Sequence, residues 1–356
     1  MSSFAVAPPC VLAVESCVDG RADPPAVTDA LARLHGRFRL QRLVIDPLST
    51  PWHSPSAPGH FRSGCAPLQA LRAAVQQLRD PRAADVVLIE GHDNLRSGYP
   101  DAAARRRLMA IYGPEVSLPE AYTLLARAFI HRAGMRIAQF AQLRDLLYEN
   151  CRATARRLGR CDAPEPRWLE PVTDLFRGVD CANPYIDFSG RVLLGTNRAA
   201  AALGLAAASC VRIAGAVVAV SGADGPQHCA RIATYAHLGR AYRQACAAAG
   251  IAFDRLFHAG RALLEVYTCY PVVPLGFLQA TGLAVDFDQL VQVLRTREVT
   301  VTGGMNIARA PWNNPALRGL IAMVRALEQG PQTVGLVHGN GGLGYAQGIA
   351  LLVGGA

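Results

Sequence analysis

Apolar positions along this chain recur in two rhythms, short unbroken runs and stretches spaced every three to four residues, and the two alternate. Val11-Leu-Ala-Val14 is an unbroken run that predicts a buried strand, Val27 to His35 has helical spacing, and Leu43-Val-Ile-Asp46 predicts a second strand. After a connection rich in Pro, Ser and His over 51–59, a short strand, His60-Phe-Arg-Ser63, leads through Gly64-Cys65-Ala66-Pro67 into a helix ending at Arg79. Leu68, Leu71, Val75 and Leu78 share one face of that helix. Asp85-Val-Val-Leu-Ile-Glu90 predicts a buried strand. From about Asn94 to Asp180 the pattern turns polar, Arg-rich and helical, broken at Pro100, Pro114, Pro164, Pro166 and Pro171, as expected of an insertion or cap on a sheet.

The second half repeats the style of the first. Strands are predicted over Arg212–Val220, Leu263–Val266, Val299–Thr302, Thr333–Val337 and Tyr345–Val353, and helices over Ala230–Ala249, Val273–Thr281 and Pro315–Glu328. Such alternation in both halves predicts an internally duplicated, layered α/β fold with mostly parallel pairing. The boundaries expected are residues 1–93 with 181–205 for an N-terminal half, 94–180 for the inserted helical region, and 206–356 for a C-terminal half.

At 356 residues and 51% hydrophobic content the chain can bury a large core. The apolar stretch Ala199 to Gly222 carries Arg212 at its middle and changes from Ala/Leu to Val/Ile character there, so it reads as a buried helix feeding a buried strand and predicts no membrane association. Ten cysteines without a C-x-x-C pair, and an N-terminus without a basic lead into an apolar run, point to reduced thiols in a cytoplasmic protein with no metal site. Lysine is absent and all 36 basic residues are arginine, which excludes Schiff-base chemistry, a P-loop lysine and a lysine general base. The net charge of +9 is spread along helices, and its densest run is only Arg105-Arg106-Arg107. That argues against nucleic acid and leaves room for a phosphate-bearing small molecule such as coenzyme A.

Three segments carry candidate chemistry. The glycine pair Gly303-Gly304 and the run from His338 to Gly344 could bring main-chain N–H groups and one imidazole towards a reacting atom, an arrangement suited to an oxyanion. Gly339-x-Gly341-x-x-Gly344 matches the letters of a dinucleotide fingerprint, but the residues after Gly344 are strand-like where that fingerprint requires a helix, and no acidic residue follows, so an NAD site is not expected. Cys65 stands at a strand-to-helix elbow where a helix N-terminus would favour a thiolate. His338, at the mouth of the glycine hairpin, is a candidate acid/base. His53, His60 and His92 are secondary candidates near the elbow; His237 and His258 read as structural. Cys269 and Tyr270 are expected to line a pocket.

Together these elements resemble the thiolase superfamily, specifically its thiolase-like proteins, over nearly the whole chain. Ser63 to Leu71 and Ala84 to Gly91 look like the nucleophile helix and the strand after it. Glu265-Val-Tyr-Thr-Cys-Tyr-Pro271 is similar to the strand-end motif Asn-Glu-Ala-Phe, the stretch from Gly303-Gly304 to Pro311-Trp-Asn-Asn314 to the region of Gly-His-Pro, and His338 to Gly344 to the closing Cys-x-Gly-Gly-Gly loop. In the register set by Leu68-Gln69-Ala70 the nucleophile of the family falls on Gly64, its Gly-His-Pro histidine on Ala310, its Asn on Tyr267, and its second cysteine on His338. The resemblance implies two duplicated βαβαβαββ halves in an αβαβα core. It also implies a coenzyme A thioester as substrate with no permanently bound cofactor, acyl-CoA or acyl carrier protein as partner, a homodimer, and room for a small partner subunit. On that footing the expected activity is acyl transfer or condensation: Cys65 carries the acyl group, His338 moves the proton, and the amides of Cys65, Asn340 and Gly341 face the oxyanion. Tyr267, Cys269, Met305 and Asn313 are expected to line the pocket. The alternative from a different class is a catalytically silent thiolase-like subunit that binds acyl-CoA or stabilises a partner enzyme.

Overall fold

The computed structural model describes residues 7–49, 57–160 and 163–355. Its strands are β1 (Cys10–Val18), β2 (Arg21–Ala22), β3 (Leu40–Ile45), β4 (His60–Phe61), β5 (Val86–Asn94), β6 (Asp187–Gly195), β7 (Arg212–Val220), β8 (Ala262–Glu265), β9 (Val334–Gly341) and β10 (Ala346–Val353). Helices of the first half are α1 (Ala26–Leu34), α2 (Ala66–Arg79), α3 (Ala102–Met109), α4 (Leu118–Arg132), α5 (Ile137–Arg157) and α6 (Asn197–Ala202). Those of the second are α7 (Cys229–Ile232), α8 (Ala236–Ala249), α9 (Phe253–His258), α10 (Val272–Thr281), α11 (Phe287–Thr296) and α12 (Pro315–Gln329).

Strand order makes the duplication visible. One run reads β4-β3-β5-β6-β1 and continues through β7-β10-β9-β8, so that β3, β5, β6 and β1 find counterparts in β8, β9, β10 and β7. A single antiparallel bridge, Cys10 to Arg212, joins the two runs at β1 and β7. The expectation of mostly parallel pairing is corrected: β3 pairs in parallel with β4 and β5, and β8 with β9, but β6 and β10 run antiparallel to both neighbours. β10 follows β9 through the tight turn at residues 342–345, which requires antiparallel pairing, and β6 takes the equivalent place in the first half after the long excursion through α3, α4 and α5.

The two central helices form the middle layer. α2 packs on β3 and β5 of one half and on β7, β9 and β10 of the other, and α12 packs on β1 and β6 as well as β8 and β9. Leu68, Leu71, Val75 and Leu78, the predicted stripe, are all buried; each such side chain contributes about 1.5–3 kcal/mol. α1 and α6 cover the outer face of the first half, and α8 covers that of the second. The chain between β5 and β6 holds α3, α4 and α5.

Several local expectations are revised. The helix predicted over Ala230–Ala249 breaks into α7 and α8 at Tyr235, whose φ is 47°. Val299–Thr302 does not pair as a strand. Val266 donates its N–H to the Val299 carbonyl, but the Glu265 carboxylate then takes the N–H groups of Val301 and Thr302 and ends the pairing. The glycine run after Val337 is not a hairpin turn from His338 onward; β9 continues to Gly341, and every residue in it is buried. Strand β6 and helix α11 had no counterpart in the pattern reading.

Candidate functional site

The elbow before α2 exists as the sequence suggests, with Ser63 at a φ of 153° in a conformation L residues seldom adopt. What occupies it is different. A Cβ placed on Gly64 would lie 2.2 Å from the Tyr267 hydroxyl oxygen and 2.3 Å from the Asn340 carbonyl oxygen. The tip of the elbow therefore has no space for any side chain, and it is the carbonyl of Asn340, not its N–H, that faces this point.

Cys65 is fully buried, and loss of water pushes its thiol up to about 12. At neutral pH it is a thiol and not a thiolate. Its main-chain N–H is donated to the Ser63 hydroxyl at 3.2 Å, so that amide is not free for an oxyanion. Sγ packs against β10, only 3.0 Å from where a Cβ on Gly348 would stand. Gly348 pairs across the strands with Gly339, and both lie beneath the first turn of α2, where Leu68 and Cys65 press directly on the sheet. The glycine signal at the end of the chain reflects this close approach of helix and sheet.

His338 is held on both ring nitrogens. Nδ1 accepts the N–H of Tyr267 at 3.3 Å, and Nε2, therefore the protonated nitrogen, donates to the Gln347 side-chain oxygen at 2.5 Å. Burial lowers its pKa to about 4. The Phe277 ring packs on it, and Tyr267 meets it edge-on. From Gln347 the bonds continue: its NH₂ donates to the Asn340 side chain and the Gly344 carbonyl, and the Asn340 NH₂ donates to the Gly342 carbonyl and, at 3.5 Å, to the Tyr122 hydroxyl. Tyr122 in turn donates to the Gly342 carbonyl and receives the Cys269 thiol. His338 is thus one link in a closed polar network and has no free lone pair with which to take a proton from a substrate.

The opposite central helix has its own closure. Asp93, at the end of β5 and wholly buried, accepts the N–H of Leu48 at 3.0 Å, the N–H of Asn313 at 2.8 Å and the Asn314 side chain at 2.9 Å. Burial still wins over these donors and raises its pKa to about 6. Glu265, also buried, is raised to about 7 by the same cause while accepting from Val301, Thr302 and the Thr302 hydroxyl.

Two spaces adjoin this centre. An internal void of about 10 Å³ is lined by Tyr267, Met305, His338, Glu265 and Arg318, among others, enough for about one water. A far larger open groove, about 1360 Å³, runs between the inserted helical region and the core, where β1, β2, the segment 302–309 and α12 border it. Thr302, Arg309 and Arg318 border both spaces; Gly64 and Cys65 border neither. Of the expected pocket residues, Tyr267 and Met305 line the void. Cys269 is instead tied to Tyr122, and Asn313 to Asp93 and the Asp46 carbonyl. The Gly303-Gly304 turn has both residues at positive φ and lies against Ala155 and Cys151 of α5, where a Cβ would not fit; the following amide, Met305 N–H, is donated to the Thr268 hydroxyl.

His60 pairs with Asp46 at 2.7 Å, and His92 is exposed. His53 lies outside the described residues. His237 is structural as expected, bonding the Gly344 carbonyl at 2.7 Å. Asp93, Tyr122, Gln347 and Arg318 were not singled out by pattern. The single available signal was polar residues at the ends of otherwise apolar strand runs, in Asp93 and Gln347. Among the described residues no cluster of His, Cys, Asp or Glu could hold a metal ion, and no helix is long and apolar enough to cross a membrane.

No protein-family model matches the sequence, and neither does any curated protein. Solved structures do match. A monomeric SCP2-thiolase-like protein type 1 from Mycobacterium smegmatis is 20% identical at a TM-score of 0.72, over 98% of this chain and 78% of that one. Human mitochondrial 3-ketoacyl-CoA thiolase is 13% identical at 0.68, over 98% and 99%. An Ltp2-ChsH2(DUF35) aldolase is 14% identical at 0.65, over 98% of each chain. The fold is thiolase-like.

Proposed function

We propose that this chain is a thiolase-like protein without thiolase catalysis, serving as a ligand-binding or partner-stabilising subunit of an acyl-CoA-using system. The observation that carries this reading is the filled elbow: where the family resemblance puts the nucleophile, the Tyr267 hydroxyl and the Asn340 carbonyl occupy the side chain's space. Cys65, one residue on, is a packed and protonated thiol, and His338 has both nitrogens engaged. Acyl transfer through a cysteine, the route the resemblance implies, needs a thiolate that a thioester carbonyl can reach and a base beside it. Neither requirement is met by this arrangement. One fold neighbour is named as a pair, Ltp2-ChsH2(DUF35), which supports a partner subunit as one role for such a chain.

The test is intact mass after incubation with acetyl-CoA and longer acyl-CoA thioesters. No covalent adduct is expected, while binding stays measurable by calorimetry or through stabilisation of a co-purified partner. An adduct that disappears in Cys65→Ala restores the acyltransferase reading with Cys65 as acyl carrier.

A further inference from the structure

The large groove carries a charge pattern that the silent centre does not explain. Seven arginines line it, Arg21, Arg96, Arg106, Arg160, Arg309, Arg318 and Arg325, against three carboxylates, Asp19, Asp23 and Glu165. Asp19 is shared by Arg96 and Arg309, Asp23 pairs with Arg325, and Glu165 pairs with Arg167 outside the lining. Among the described residues, Arg21, Arg106, Arg160 and Arg318 have no carboxylate within ion-pair distance.

Arg318 is the unusual one. It stands on the second turn of α12, bordering both the groove and the inner void, and one guanidinium nitrogen is spent on the carbonyls of Ala308 and Arg309. Those bonds fix its position without neutralising it. Burial comes first and Arg160 second among the influences that lower its pKa to about 10, with Arg309 adding to them. The carboxylates that act on it, Glu265 and Asp19, do so only beyond bonding distance, and Glu265 is already bound to Val301 and Thr302. Arg160, Arg309 and Arg318 all line this water-accessible groove, and the first two act electrostatically on the third; of the three, among the described residues, only Arg309 is paired with a carboxylate, Asp19. Like charges gathered in this way are destabilising unless an anion joins them, and arginine suits the paired oxygens of a carboxylate or phosphate.

We infer that the part of the groove beside Arg318 is a binding site for a small oxyanion, held by Arg318 and Arg160, with Arg309, paired to Asp19, at its border. The class of ligand is a molecule bearing a phosphate or a carboxylate, with the rest of it lying along the groove. The inference rests on the proposed binding role, but survives its failure: a covalent adduct would overturn the silent reading, whereas anion binding is still readable in Cys65→Ala.

Calorimetric titration of the whole chain at low and moderate salt tests it, with acetyl-CoA, succinyl-CoA, 3′-dephospho-CoA and free succinate as probes. Arg160 is exposed, so Arg160→Ser should fold, and it is expected to weaken the bound probe about tenfold; Arg318→Gln should weaken it more. A carboxylate seat makes succinyl-CoA bind about tenfold tighter than acetyl-CoA, a preference lost in Arg318→Gln. A phosphate seat makes those two equal and weakens 3′-dephospho-CoA. Absence of binding by every probe overturns the inference. So does binding that Arg160→Ser leaves unchanged to the same degree as Arg255→Ser, a control outside the groove.

Discussion

The two central helices start in equivalent places, each at the meeting of its own half with strand ends of the other, and the chain closes these two starts by opposite means. Before α12 the closure is ionic and polar: Asp93 of the first half reaches across to the N–H of Asn313 and the side chain of Asn314. Before α2 it is steric: Tyr267 and the Asn340 carbonyl of the second half fill the space over Gly64. A helix start leaves N–H groups needing partners and favours negative charge. One half answers with a buried carboxylate, while the other leaves no room for a reacting group. The same architecture therefore tolerates either solution, and occupancy of the space, more than fold, decides whether chemistry is possible there.

The comparison is most severely tested by adding one methyl group at the steric closure. Gly64→Ala should cost about 3 kcal/mol or more in urea-induced unfolding, because the clash is with a main-chain oxygen as well as a ring. Combining it with Tyr267→Phe, which removes the hydroxyl, should recover part of that loss, and strict additivity in the double-mutant cycle would show that Tyr267 is not the obstruction. At the ionic closure, Asp93→Ala should cost about 3 kcal/mol, since two amides and a carboxamide lose a buried acceptor. Equal stability of the variant and the parent would remove Asp93 from the account.

A third test uses pH. His338 is neutral in the fold, with its pKa lowered from 6.5 to about 4. Its contribution is complete above 6.5 and is lost as the pH falls towards 4, where the unfolded chain takes up the proton first; the loss amounts to about 3 kcal/mol. Asp93 and Glu265 act in the other sense. Their raised pKa values make the protonated fold relatively favourable, an advantage that fades as the pH climbs through about 6 and about 7. Subtracting the stability-against-pH curve of His338→Gln should isolate the histidine as one proton's slope between pH 4 and 6.5. The smallest effect is expected at Cys65. Without denaturant its reaction with an aromatic disulfide should be far slower than that of partly exposed Cys17, and a rate like a free thiol's would show that the elbow opens.

Much of the frame was legible because burial and period coincide. The stripe Leu68-Leu71-Val75-Leu78 and the runs at Arg212–Val220 and Tyr345–Val353 behave as patterned. Strand β6 escaped because Asp187-Phe-Ser-Gly-Arg191 mixes polar and apolar positions before its apolar end. The predicted strand at 299–302 failed because a side-chain carboxylate outcompeted a neighbouring backbone for its amides. At the site, the residue letters are legible in the sequence and their surroundings are not. A cysteine at an elbow and a histidine beside glycines have the letters of catalysis, and only packing shows one sealed under β10 and the other bound on both nitrogens. Gln347 and Tyr122, which complete that bonding, are separated from His338 by 9 and 216 positions, and no local pattern links them.

Gly339 and Gly348 sit opposite one another in adjacent strands and let α2 rest on the sheet with nothing between. A methyl at Gly348 would act as a wedge, lifting the helix that carries the elbow and loosening Tyr267 from its seat. Gly348 is therefore a gauge that sets the clearance of the whole centre: whatever letters the elbow holds, the layer spacing at this position admits one residue type.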